Sequence, residues 1–204
     1  MRMMTKYYLI TLLCVFGINT VSAEAFCALR DPVNSIYQLY PNATSYQSIV
    51  RTVNQQTREH IITHLPNFNL HFSEMGRHTL YVALQDGQKI GYIHVRSEQS
   101  QWGLVEVAWA LNLDLSVKDF VFQRARDPSR KYLETPDFKG QLIGRNFNTL
   151  RTLIDSPFAE FSTPLFTNKD ALKLVTVVIK SAMKTVLITE QAWNDDLQTV
   201  STVK

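Results

Sequence analysis

Cysteine is nearly missing from this chain: 204 residues include two, Cys14 and Cys27. Neither belongs to a Cys-x-x-Cys or Cys-x-x-Cys-His arrangement, so the motifs of a dithiol centre, a haem attachment site and a thiolate zinc site are excluded. Glycine and proline are sparse too, at seven each. Gly140 and Gly144 stand alone rather than in a phosphate-cradling loop, and no Gly-x-Ser-x-Gly elbow presents a nucleophilic serine. An excess of one charge is also lacking. The 21 Lys and Arg are nearly balanced by 18 Asp and Glu, which leaves no electrostatic footprint for nucleic acid and no polybasic membrane patch.

What is present begins with an apolar run at the N-terminus. Residues 7–18, YYLITLLCVFGI, follow Arg2 and Lys6. The run is shorter than the roughly 18–20 residues that span a bilayer. Small-residue sites at Val21-Ser-Ala23 and Ala23-Glu-Ala25 follow it. This is the pattern of a signal peptide over residues 1–25, cleaved at Ala23 or Ala25, and it implies a periplasmic or secreted protein. Without Arg2, Lys6 and Glu24 the counts fall to 19 basic and 17 acidic residues. Cys27 is then alone and cannot form an internal disulfide, so it is expected to be buried and inert, with stability coming from packing.

The rest reads as one α+β domain, an antiparallel β-meander covered by helices. Residues 79–124 hold four runs rich in β-branched and aromatic side chains, with Asp86-Gly87 between the first two. Asp-Gly in that setting marks a hairpin, because a type I′ turn needs positive φ at both central residues. In residues 102–111 both alternating sets are largely apolar, so that strand is expected to be central and covered on both faces. Ahead of the meander, residues 26–66 read as a helical segment. One helix opens at Asp31-Pro32; a second runs from Thr44 or Ser45 through Ile49, Val50, Val53, Ile61, Ile62 and Leu65, with a possible break in the polar stretch 54–59. Residues 67–72 alternate and suggest a lead-in strand. The domain proper is assigned to 67–190 and a tail to 191–204. Residues 125–137 read as a loop, followed by two short helices before Pro157. The final helix is marked by a Thr167–Asp170 capping box and an apolar stripe from Leu172 to Leu187, with Lys173, Lys180 and Lys184 on the opposite face.

Single residues offer little chemistry. His60 and His64 share a helix face at zinc-protease spacing, but Ile61 stands where the catalytic Glu would be and no third ligand is near in sequence, so no metal is expected. Glu106 interrupts an apolar strand, where burial would raise its pKa. Trp102 and Trp109 could stack on a flat ligand or simply fill a core. No catalytic set emerges.

The order LYVALQDGQKIGYIHVRSE, GLVEVAWALNLDLSVKDFVFQRARDP and FKGQLIGRN resembles the FMN-binding domain of extracytoplasmic redox proteins, such as the flavin-carrying subunits of Rnf-type and sodium-pumping quinone reductase complexes. The likeness covers about residues 80–186. It implies a flavoprotein role in electron transport, FMN as cofactor, and a membrane-bound redox complex as partner. In that family a Ser-Gly-Ala-Thr motif opening a helix carries FMN on its Thr. The matching segment is Lys180-Ser-Ala-Met-Lys-Thr185, in which only Ala182 fits in place. Met183 occupies the acceptor position, so covalent attachment is not expected. The resemblance implies a flavin held non-covalently, if at all, near Lys180, Ser181, Ala182, Lys184 and Thr185. The alternative is a flavin-free binding or assembly module associated with the same kind of complex.

Overall fold

The structure is a computed structural model that describes residues 31–155 and 169–198. The segment read as a signal peptide, Cys27, Thr167 of the expected capping box and the chain beyond residue 198 lie outside the described residues. A five-stranded antiparallel sheet, each strand paired with the next in sequence, forms the framework. Its strands are β1 (Ser45–Val53), β2 (Gly76–Gln85), β3 (Gln88–Ser100), β4 (Gly103–Leu111) and β5 (Val117–Arg124). Asp86 and Gly87 have φ of 51° and 80°, the two positive values that a type I′ turn requires. The α+β meander covered by helices is therefore what the chain forms.

The first strand corrects one expectation. Residues 45–53 are extended rather than helical, and all nine pair with β2 in unbroken register. Ile49, Val50 and Val53 imitate a helical stripe when read with Ile61 and Ile62. Locally, however, Tyr46, Ile49, Val50, Thr52 and Val53 favour a pleated strand. The alternation is blurred because β1 is an edge strand with few buried positions. The stretch that looked like a possible break starts the real helix, α2 (Gln55–Ile62), where the Asn54 side chain accepts from Thr57 N–H at 2.9 Å. Residues 67–72 are not a strand either; they lead into a 3₁₀ turn at Phe72–Glu74.

Helices cover both faces of the sheet. On one, α1 (Val33–Leu39) and Tyr40 place Ile36, Leu39 and the Tyr40 ring on Ala83, Ile93, Val95, Ala108 and Ala110. On the other, α6 (Lys169–Ala192) lies across β3 and β4 and is itself backed by α2 and α5 (Phe147–Asp155). Between them, α3 (Arg130–Leu133) and α4 (Pro136–Leu142) pack beside β5 and α6. Every residue from Ser181 to Thr189 is buried, so this half of α6 is an inner layer rather than an amphipathic surface helix. Lys173 is exposed and Lys180 half-buried, but Lys184 is buried and does not lie on a solvent face. The expected tail is also partly core: Trp193 is fully buried and α7 (Asn194–Gln198) follows it.

Candidate functional site

The segment singled out by resemblance lies midway along α6, facing the sheet. Trp109 Nε1 donates to Ser181 Oγ at 3.1 Å, and Thr185 Oγ1 donates to the Ser181 carbonyl at 2.7 Å. Ala182 is buried with no exposed surface. The Lys180 ammonium lies 5.2 Å from the centre of the Phe68 ring. Lys184 reaches furthest inward, donating to Glu74 Oε1 at 2.7 Å and to Glu98 Oε2 at 3.1 Å.

Those two carboxylates are shared with a second cation. Arg96 Nη2 donates to Glu74 Oε2 at 2.8 Å and, more loosely, to Glu98 Oε1 at 3.4 Å. Two acids and two bases from the 3₁₀ turn, β3 and α6 thus form a neutral quartet beneath the helix. Taking four charges out of water is costly, and mutual attraction offsets that cost only while every partner remains. Burial pushes the Glu74 carboxyl up, but Arg96, Lys184 and the hydrogen bonds it accepts outweigh this and hold it below the usual carboxylate range.

Two histidines extend the cluster. His78 Nε2 lies 2.8 Å from the Glu74 carbonyl, His78 Nδ1 3.4 Å from His94 Nε2, and His94 Nδ1 3.0 Å from Thr189 Oγ1. A carbonyl can only accept, so His78 carries its proton on Nε2 and its Nδ1 is an acceptor. His94 must then present Nε2–H to it, and its bare Nδ1 takes the Thr189 hydroxyl proton. One direction of donation, Thr189 to His94 to His78 to Glu74, satisfies the neutral chain. Burial first, then the Arg96 charge, lower His78 to about 4, against the opposing pull of Glu74. His94 is held well below its ordinary value by burial and by the His78 and Arg96 charges.

Other sequence candidates fall elsewhere. Trp102 is 51% exposed in the turn between β3 and β4, whereas Trp109 is a core residue tilted against Phe120 with ring centres 5.0 Å apart. Glu106 is buried opposite Ser97 and Arg124, on the strand face shared with Ala108 and Ala110. His60 and His64 have ring centres 4.9 Å apart, with His64 Nδ1 2.9 Å from the His60 carbonyl. They line a cleft of about 960 Å³ that also meets Arg51, Arg151, Glu190 and Asp195. Among the described residues no three His, Cys, Asp or Glu side chains converge as a metal site.

Sequence reasoning missed the quartet and the histidine pair, although β3 carried a signal for both. His94, Arg96 and Glu98 alternate with Val95 and Ser97, which puts three ionisable groups on one strand face. That face turned out to be the one under α6. No protein-family model matches the chain, and comparisons with curated proteins and with solved structures yield no match either.

Proposed function

We propose that the chain is an extracytoplasmic module on the scaffold of FMN-binding domains, serving a membrane-bound redox complex as a flavin-free binding or assembly subunit. One observation carries the flavin-free part: the polar atoms of Ser181, Lys184 and Thr185 are buried and already engaged by Trp109, Glu74, Glu98 and the helix backbone. A flavin phosphate entering there would have to strip Lys184 from two buried carboxylates and then sit beside them. That exchange leaves like charges together in a low-dielectric site, which is strongly unfavourable. The segment also lies mid-helix, where backbone N–H groups are spent on the helix itself and none is left for an anion. Support for the scaffold comes from the resemblance in the hairpin and in strands β4 and β5.

A second reading is an electron-transfer flavoprotein that holds FMN non-covalently away from α6's inner face. The cleft favours it, since about 960 Å³ with Arg51, Arg151, His60 and His64 on its walls is within the size range of small-molecule sites. Protein purified from its own membranes, followed by FMN titration, separates the two. The flavin-free reading expects no visible flavin absorption, no quenching of FMN fluorescence, and co-elution with subunits of a membrane redox complex. A flavin band in the native preparation, or saturable quenching, would overturn it in favour of the electron carrier.

A further inference from the structure

We propose that the His78–His94 pair is an acid-sensitive latch holding the last turn of α6, together with α7, onto the sheet. Besides the burial of Trp193 and Leu197 against the core, four contacts of this segment bear on the latch. Thr189 meets His94 at 3.0 Å, and the Trp193 ring stands edge-on to His94 with centres 5.3 Å apart. Trp193 Nε1 donates to the Ile49 carbonyl at 3.0 Å, and Arg51 pairs with Asp196 at 2.6 Å. Two of the four act through His94. The others anchor to β1, where Arg51 lies directly opposite His78 in the strand register.

The neutral chain of donors and acceptors leaves no place for another proton. Protonating His78 on Nδ1 would set two N–H groups against each other across 3.4 Å. Protonating His94 on Nδ1 would turn it against a hydroxyl that already donates to it, forcing Thr189 to rotate. Of the surrounding charges only Glu74 favours a charged His78, and the Arg96 charge beside it is the larger. Arg96 on β3 is the cation that acts on both rings, and the neighbouring elements add Lys184 on α6 and Arg51 on β1, the latter opposite His78 in register. Glu74 on the 3₁₀ turn, Glu98 on β3 and Asp196 on α7 are already engaged by those cations. β4 presents Trp109 and Val107 opposite His94 and Arg96, and no charge on that face. An imidazolium is therefore accommodated only when the segment swings out and the ring meets water, where histidine titrates near about 6.5. Glu190, Gln191, Ala192 and Asn194 of this segment form one wall of the large cleft, so release of the latch widens it.

Hydrogen exchange on the full chain, from about pH 7.5 down to about pH 4.5 and corrected for intrinsic rates, tests this. Amides of residues 186–198 are expected to lose protection by about tenfold per pH unit below about pH 6 for each histidine that takes up a proton. Those of β4, which exchange only through global unfolding, decline in step but stay better protected over the whole range. His94→Gln removes one of the two titrating groups, so the response of residues 186–198 falls to at most about tenfold per pH unit, the share of His78. Should that variant not fold, the wild-type profile decides alone. Protection that is independent of pH in 186–198, or that matches that of β4 in magnitude at every pH, overturns the latch.

Discussion

At Gly91 the backbone runs at φ +154°, and a Cβ placed there would fall 2.1 Å from Tyr40 Oη and 2.7 Å from the Leu111 carbonyl. The Tyr40 hydroxyl donates to that carbonyl at 2.5 Å, and burial raises its pKa far above the ordinary tyrosine value. Tyr40 therefore bolts the end of α1 to β4 through the gap that a missing side chain leaves at Gly91. A register shift between Ala83 and Leu84 swings β3 into this position. Gly91→Ala is expected to cost about 3–5 kcal/mol, the sum of backbone strain and overpacking. Gly103 has φ +94° but nothing within 4 Å of its Cβ position, so Gly103→Ala is expected to cost only about 1–2 kcal/mol of strain. Urea unfolding of the two variants measures the difference, and equal losses would show that Tyr40 moves aside freely.

Between elements, Lys184 and Glu98 tie α6 to β3, and their coupling measures how that contact is held. Lys184→Met leaves Glu74 and Glu98 sharing Arg96 alone, and removing one partner of a buried pair costs about 3–5 kcal/mol. Adding Glu98→Gln removes the uncompensated charge, so the double variant is expected to be at least about 1 kcal/mol more stable than the sum of the single losses. Strict additivity in denaturant melts would mean that water reaches the quartet and screens it. The same elements show what was legible in the sequence. The Asp86–Gly87 turn and the apolar alternation of β4 encode themselves locally, so the meander could be read directly. β1 could not, because an exposed edge strand buries too little for a period of two to stand out. Lys184 was placed on a solvent face because helical periodicity describes a helix with one covered side, and α6 has α2 and α5 on its back. The quartet needed the tertiary pairing of β3 with α6 before Arg96 and Glu98 could be seen as its partners.

For the molecule as a whole, the buried titratable groups make stability depend on pH in one direction on the acid side. His78, His94 and Glu74 all have pKa values lowered by folding, so the folded chain binds fewer protons than the unfolded chain as pH falls. Their stabilising contribution is present above the unfolded values and is lost below them. The histidines act first. For His78, an ordinary value of 6.5 falls to about 4, a difference corresponding to roughly 3 kcal/mol lost across that interval. Glu74 adds to the loss once pH drops under its ordinary 4.5. On the alkaline side the sign reverses. Burial raises Tyr40, Tyr81 and Tyr92, so their contribution holds below the unfolded tyrosine value of about 10 and is lost above it. Unfolding free energies by urea should therefore form a plateau from about pH 7 to about pH 9, with an acid limb starting near about pH 6.5 rather than in the carboxylate range. In the His78→Gln/His94→Gln double variant the acid limb moves down to begin near about pH 4.5, because the groups on the acid side still lowered by folding, Glu74, Asp114 and Asp170, are carboxylates. A wild-type profile flat down to that pH would place water beside both imidazoles and remove histidine burial as the source of the dependence.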